Sequence, residues 1–459
     1  MGVGSRLSSR VEKDLLFIFL SIEIGLSLLI CLSPLFIYGL AGFTQYIHIL
    51  IYTLAALVGC AIGFEIPLVI RLNEGYEGLN KNISSIMSYD YVGSLVGGLA
   101  FAFIGLPFLG IKNSAFLFGM FNLLAALTVV IVFWEKLKVI KFRVGLFLGL
   151  AFLILSAGFI KSDSIKMYGE QSRFKDKIVH VVESEYQKLV VTTWLEKHWL
   201  FINGNLQMTT LDEYLYHEPM IHPVMSLLED PKNILIIGGG DGFNAKELLK
   251  YEAIETIELV DLDPEMTKLG AAFAPFVRAN QGSLSHHKLT VLNEDGFVFL
   301  QESNSFYDLI VIDLPDAKGV DLSKLYSKEF YQMIKLHLRP NGYMVTQSGN
   351  PYLATRAFEC IKKTMQNVGF NIAPIHNHVL SMGEWSWVIG SKDLTSTQLK
   401  SRLEQGTYSD IETRWLNQES VKMMLNFGKP LEDTAGVEVN TINNPVLYQY
   451  QLNGNWGHY

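Results

Sequence analysis

Between residues 15 and 160 the chain runs through five apolar segments, 15–40, 46–70, 86–110, 114–134 and 144–160. A bilayer core takes roughly 20 residues of helix. Within it, only helices and closed barrels can satisfy their own backbone. The first third of the chain is therefore confined to a helical bundle suited to a membrane. A soluble all-helical domain would need more charge than these segments carry. The first segment is too long for a signal-peptide core and lacks a small-residue cleavage site, so it reads as retained. After Lys161 the composition becomes that of an ordinary soluble protein, and 459 residues leave room for two or three domains.

Basic residues flank the apolar part. Arg6, Arg10 and Lys13 precede the first segment, and Lys136, Lys138, Lys141 and Arg143 precede the fifth. The positive-inside rule puts both stretches in the cytoplasm. Five spans would then leave the C-terminal half outside, unless the short fifth segment lies in the interface and reverses the parity. Three carboxylates fall inside the apolar part: Glu23 in LSIEIGL, Glu65 in IGFEIPL and Asp90 in MSYDYVGS. Ionisable groups at such depth are costly, and are candidates for function or for helix pairing. The small-residue pattern GSLVGG, Gly93 to Gly98, predicts close helix packing near Asp90. Cys31, Cys60 and Cys360 have no metal-ligand spacing and read as small buried hydrophobes, so no metal site is expected. A net charge of −8 argues against a nucleic-acid partner.

The remainder divides by rhythm. A membrane domain over 1–160 is followed by a polar linker over 161–175. Residues 176–230 hold short alternating β-branched runs with an Asn203-Gly204 turn, then a helical stretch: a small antiparallel β-unit and a connecting helix. From 231 to 395, apolar strands alternate with helices. NILIIG, TIELVDLD, KLTVLNED, YDLIVIDLP and GYMVTQSG are the predicted strands of a doubly wound, Rossmann-like parallel sheet of the methyltransferase type. Residues 396–459 form a C-terminal extension.

In such a sheet, ligands bind beyond the carboxyl ends of the strands. Asp241, Asp261, Asp295, Asp313 and Asp316 each fall at a strand end, so five carboxylates converge on one rim. Singly, each could be a helix cap. The glycine turn Gly238-Gly239-Gly240-Asp241-Gly242 lets a ligand approach the backbone closely, but Asp241 would repel a pyrophosphate. Asp261, about twenty residues on, stands where an acid takes ribose hydroxyls. Together these favour a nucleoside with a cationic, phosphate-free tail, such as a sulfonium nucleoside, and a second cationic ligand such as an amine.

The runs ESEYQKLVV, NGNLQMTTLDEYLYHEPMIHP, ILIIGGGDG, ELVDLDPEM, NEDGFVFL, YDLIVIDLPD and LYSKEFYQMIKLHLRPNGYMVTQSGNPYL, closed by WVIGSK, resemble the polyamine aminopropyltransferases, the spermidine synthase family, over roughly 181–392. The apolar part resembles the multi-pass extension of some bacterial members. The opening GVGSRLSSRVEK resembles an internal loop of longer members, which would leave the true N-terminus outside this chain. The resemblance implies transfer of an aminopropyl group from decarboxylated S-adenosylmethionine, a co-substrate and not a cofactor, to an amine such as putrescine. Methylthioadenosine leaves. It assigns Gln187 and Asp261, with the turn glycines Gly238 and Gly240, to the nucleoside. Asp295 and Gly296 would meet the adenine, and Tyr216, His217, Asp241, Asp316 and Gln347 the amine. Asp313 matches the catalytic position. Three features depart from the family: DLPDA in place of a DSSDP-like turn, Lys318 and Lys324 in the following gate, and NHVLSMGEWSW over 377–387 in place of the usual substrate loop. The alternatives are an S-adenosylmethionine-dependent amine methyltransferase and a polyamine-binding or transporting membrane protein. The expected location is the cell membrane, multi-pass. The catalytic half is expected on the cytoplasmic side, because the donor is a cytosolic metabolite. Assembly as a homodimer is left open.

Overall fold

The computed structural model describes residues 1–459 except 42, 45, 75–77, 138, 139, 430, 432, 433 and 457–459, so Lys138 lies outside the described residues. The chain forms two compact units, Met1–Lys175 and Asp176–Tyr459.

In the first unit four helical runs are long and apolar enough to cross a membrane: Leu15–Leu40, Ile47–Asn73, Leu79–Val132 and Lys141–Gln171. The sequence predicts five segments, and two of them fall in the single run Leu79–Val132. That run is not straight. Gly110 has φ +69, and a Cβ on Gly105 would lie 2.9 Å from Ser114 Oγ. The Phe101 and Phe118 ring centroids are 6.1 Å apart, whereas seventeen residues of straight helix would separate them by about 25 Å. The run therefore folds back at Gly110. The predicted linker 161–175 is mostly helix, because the helix Lys141–Gln171 continues through it. The polar residues from Lys161 onward break the apolar pattern without breaking the helix.

The membrane-type carboxylates are partnered unevenly. Glu23 is buried, and its carboxyl faces that of Glu65 on the neighbouring helix. Asn122 donates to the Glu23 carbonyl at 3.0 Å and to Ser27 Oγ at 3.1 Å. Among the described residues the expected close packing at the small-residue pattern is not found: a Cβ added at Gly93, Gly97 or Gly98 would meet nothing within 4 Å. All three cysteines are free, with Cys31 and Cys360 buried.

The second unit holds two sheets. The smaller is an antiparallel meander of β1 (Lys177–Glu183), β2 (Lys188–Trp194), β3 (Lys197–Ile202) and β4 (Asn205–Thr209). Asn203 and Gly204, both at positive φ, turn β3 into β4. The larger sheet has seven strands in the order β10-β11-β9-β8-β5-β6-β7. These are β5 (Asn233–Gly238), β6 (Thr256–Val260), β7 (Leu289–Leu292), β8 (Tyr307–Asp313), β9 (Leu338–Gly349), β10 (Asn371–Val379) and β11 (Gly383–Ser391). β5 to β9 are parallel. Ile234–Ile237 in β5 and Leu309–Ile312 in β8 are at most 1% exposed, as continuous apolar runs covered on both faces require. The antiparallel hairpin β10–β11 is an addition to the five predicted strands. It takes in most of the stretch 377–387 read as a loop. Pro374 is tolerated because β10 is an edge strand.

Strand order reverses between β5 and β8. Successive crossovers leave β5 on one side and return to β8 on the other, which opens a crevice at their carboxyl ends. Gly238 and Asp313 are register partners there.

Candidate active site

Glycine is required at the crevice for steric reasons. Gly238 has φ +82, and a Cβ on it would lie 2.0 Å from the Asp313 carbonyl oxygen. A Cβ on Gly240 would lie 2.6 Å from Asp261 Oδ2. The turn thus brings the ends of β5, β6 and β8 together with no side chain between them.

Asp313 ends β8 and is held at both oxygens. Tyr216 Oη donates to Oδ1 at 2.7 Å, and Asn244 Nδ2 donates to Oδ2 at 2.6 Å. Tyr216 comes from the helix Tyr214–Met225 and is wedged edge-on against Trp387, 5.2 Å between ring centroids. Burial and the adjacent Asp313 carboxylate push its phenol well above the ordinary range, so it stays a donor. His217 is 2% exposed, stacks on Phe243 at 5.2 Å, and bonds through Nδ1 to the Glu213 carbonyl at 2.8 Å. Burial alone would lower its pKa. The carboxylates of Glu213, Asp241 and Asp313 outweigh that and raise it.

Burial pushes the Asp241 and Asp261 carboxyls up to about 6, against backbone N–H bonds that pull the other way. Asp241 accepts from the Phe243 N–H at 3.0 Å. Asp261 accepts from the Gly240 N–H at 3.0 Å and from the Asp263 N–H at 2.9 Å, locking the turn to the end of β6. Each carboxylate oxygen retains lone pairs for a further donor. Gln187 closes the β1–β2 turn. In that turn Ser184 Oγ donates to Asp263 Oδ2 at 2.9 Å, which ties the small sheet to the rim.

Other predicted residues have work within the fold. Asp295 caps the helix Gly296–Glu302, accepting from Phe297 N at 2.7 Å, while its second oxygen lies 3.6 Å from Lys324 Nζ. Lys324 also sits over the Phe297 ring at 4.1 Å. A Cβ on Gly296 would lie 2.7 Å from Ile237, so glycine lets that helix approach β5. Gln347 is 2% exposed with both ends of its amide used. Nε2 donates to the Leu314 carbonyl at 2.8 Å and to Tyr326 Oη at 2.5 Å, and Oε1 accepts from Gly349 N at 2.8 Å. It secures the loop after β8 that carries Asp316. Burial pushes the Asp316 carboxyl up to about 6, opposed by Lys318, Gln451 and Gln347. Lys318 Nζ donates to Asn205 Oδ1 at 2.7 Å and keeps the charge that bears on Asp316.

Five contributors lie outside the residues that the sequence singles out. Asn244 stands three residues past Asp241, one helical turn into the next element, a spacing that could have revealed it. Tyr326 lies inside the quoted LYS run. Trp385 and Trp387 arise from β11, which was read as loop. Glu213 belongs to a buried ion network in which Lys246 bonds Glu213 at 2.9 Å and Glu247 at 3.2 Å, and Glu247 bonds His222 at 2.8 Å and Lys250 at 2.6 Å. Among the described residues no group of His, Cys, Asp and Glu could hold a metal ion.

A crevice lined by ionisable acids, floored by glycine and walled by aromatic rings suits organic cations. The spermine/spermidine synthase domain family matches residues 213–401. A polyamine aminopropyltransferase of Oceanobacillus iheyensis is 33% identical over 98% of this chain and 87% of its own length. Polyamine aminopropyltransferase 2 of Aquifex aeolicus is 36% identical over 98% of this chain and 89% of its own. A solved spermidine synthase in complex with the transition-state analogue AdoDATO shares the fold, with a TM-score of 0.50 at 21% identity, over 55% of this chain and 86% of that one. The matched domain contains every strand of the acid rim, and the relatives align with the apolar helices as well. Kinship at that level over nearly the full length makes this chain a member of the polyamine aminopropyltransferase (spermine/spermidine synthase) family.

Proposed function

We propose that the protein transfers an aminopropyl group from decarboxylated S-adenosylmethionine to putrescine, giving spermidine and methylthioadenosine. The observation that carries this reading is Asp313, held by Tyr216 and Asn244 at the switch point, with further acids on either side. The amine nitrogen attacks the methylene next to the sulfonium, and the carbon–sulfur bond breaks. Sulfur leaves as a neutral thioether, so no acid is needed. The amine arrives as an ammonium, with a pKa near ~10 by analogy with lysine. One proton must therefore leave before nitrogen has a lone pair, and Asp313 takes it. Gln187, Asp261, Asp295 and Gly296, with the turn at Gly238 and Gly240, hold the nucleoside. Tyr216, His217, Asp241 and Asp316 face the amine, and Gln347 acts by holding the Asp316 loop. A donor bearing the extra carboxylate of S-adenosylmethionine would meet Asp241, which disfavours methyl transfer. Purified protein given the decarboxylated donor and a series of diamines should convert putrescine fastest. A faster reaction with another amine would replace the acceptor named here.

The two halves of the site should separate kinetically. Asp261→Ala should raise the donor KM by about tenfold to a hundredfold, the scale of ~1.5–3 kcal/mol for hydrogen bonds to a charged group. Asp316→Asn should raise the acceptor KM instead. Asp241 and Asp316 both titrate near 6. A cation needs them ionised, so acceptor KM in the parent enzyme should climb as pH falls through that value. A pH-independent acceptor KM between 5 and 8, or donor KM responding to Asp316→Asn, would contradict this division.

The apolar helices support a multi-pass location in the cell membrane, with the catalytic unit in the cytoplasm where the donor is made. The protein should remain in the membrane fraction through high-salt and carbonate washes. A C-terminal tag should resist protease in sealed right-side-out vesicles; cleavage from outside would reverse the orientation.

A further inference from the structure

We propose that Gln451, delivered by the C-terminal tail, is a specificity-determining residue of the amine-acceptor site. It bears on Asp316 and fixes how far from Asp313 the second ammonium of a diamine is held. The inference rests on the acceptor reading given above, and it concerns a segment outside the matched domain, which ends at residue 401.

The tail is built to reach the site. Buried Asn440 donates to the Ser323 carbonyl at 2.7 Å and accepts from Ser323 Oγ at 3.1 Å, which pins the tail to the gate helix Val320–Lys324. The helix Leu447–Leu452 then turns Gln451 inward, where it is 4% exposed. Gly349, at φ +70, ends β9 between the two groups. A Cβ there would lie 3.2 Å from Asp316 Oδ1 and 4.0 Å from both amide atoms of Gln451. The glycine thus leaves open the space across which acid and amide face each other.

Gln451 Nε2 is buried, and its amide is one of the groups that oppose the upward shift of the Asp316 carboxyl. A buried amide donor needs an acceptor. The acceptor facing it is the Asp316 carboxylate. An N–H directed at that acid favours its charged form, which is the form a second ammonium needs. The backbone behind Gln451 is fixed independently, since Trp456 Nε1 donates to its carbonyl at 2.7 Å, and Lys318 lies over the Trp456 ring at 5.6 Å. One acid and one neutral amide at this end suit a single distal ammonium. A triamine would bring a further charge with no acid to meet it.

Two variants test the proposal in the full-length enzyme, with KM measured separately for donor and acceptor. Gln451→Leu keeps the volume and removes the amide. Acceptor KM should rise about tenfold or more, the scale of one hydrogen bond to a charged group, with donor KM unchanged. Its rise toward low pH should also begin at a higher pH, because Asp316 loses a donor. Gln451→Glu adds a second acid, and should raise kcat/KM for spermidine relative to putrescine about tenfold or more. This second ratio decides the matter if the leucine variant does not fold. An unchanged acceptor KM in Gln451→Leu would overturn the inference. So would donor and acceptor KM rising together with a lowered melting temperature, or an unchanged spermidine-to-putrescine ratio in Gln451→Glu. A parent enzyme that transfers aminopropyl to no amine would instead sink the acceptor reading itself.

Discussion

Asp313→Asn should bind methylthioadenosine normally and lose kcat by ~10²–10⁴, the usual effect of removing a general base. The substitution is isosteric, and an amide can still accept from Tyr216 Oη at the position now 2.7 Å away. Asn244 Nδ2 can be met by the amide oxygen only if Tyr216 gives it up, so some loss of order around the site is expected. The proton argument gives the sharper signature. As pH rises toward the pKa of the amine, free amine arrives already deprotonated, and the deficit should shrink. A deficit constant to high pH would make Asp313 an electrostatic anchor, with water as base. Near-parent kcat at neutral pH would remove it from the mechanism.

The second large effect is on stability. Glu247 is 1% exposed and bonds His222, Lys246 and Lys250. Burial opposes its charge, but these partners hold its carboxyl down to about 2. Glu247→Gln should cost about 3–5 kcal/mol, because it removes the carboxylate from a buried charged network. In a unit of this size that is a fall in melting temperature of about 10 °C. The pH dependence follows in sign. An unfolded glutamate titrates near ~4.3. The stabilisation from Glu247 is fully present above that value and is lost as pH falls from there toward 2. The parent protein should therefore lose part of its stability across that acid window, and Glu247→Gln should lose less. Thermal unfolding of both proteins at pH 7 and pH 3 measures the difference. Equal melting temperatures at pH 7 would show that the network contributes nothing net.

Much of the site was legible because its acids sit at strand ends. Parallel strands buried on both faces write themselves as unbroken apolar runs, and the residue after each run falls on the ligand-binding rim. That rule puts Asp241, Asp261, Asp295, Asp313 and Asp316 on the rim. It cannot tell an acid free for a ligand from one that caps a helix, as Asp295 does. The β10–β11 hairpin was missed because polar Asn377, His378, Glu384 and Ser386 interrupt its apolar residues, and Pro374 argues against a strand until its edge position is known. The fold-back at Gly110 was legible only as two apolar segments, since a left-handed glycine leaves no mark on composition. Gln451 was out of reach. Its contact with Asp316 joins residues more than a hundred positions apart, through a tail whose course depends on Asn440 meeting the gate helix.

The reaction proposed for this site is transfer of aminopropyl from a decarboxylated sulfonium donor. It is tested most directly by offering the purified enzyme equal amounts of decarboxylated and intact S-adenosylmethionine, each carrying a distinct isotope, together with putrescine. The product is then weighed. Putrescine should gain one aminopropyl group, from the decarboxylated donor, with methylthioadenosine released in equal amount. Putrescine that gains a methyl group from the intact donor would contradict it.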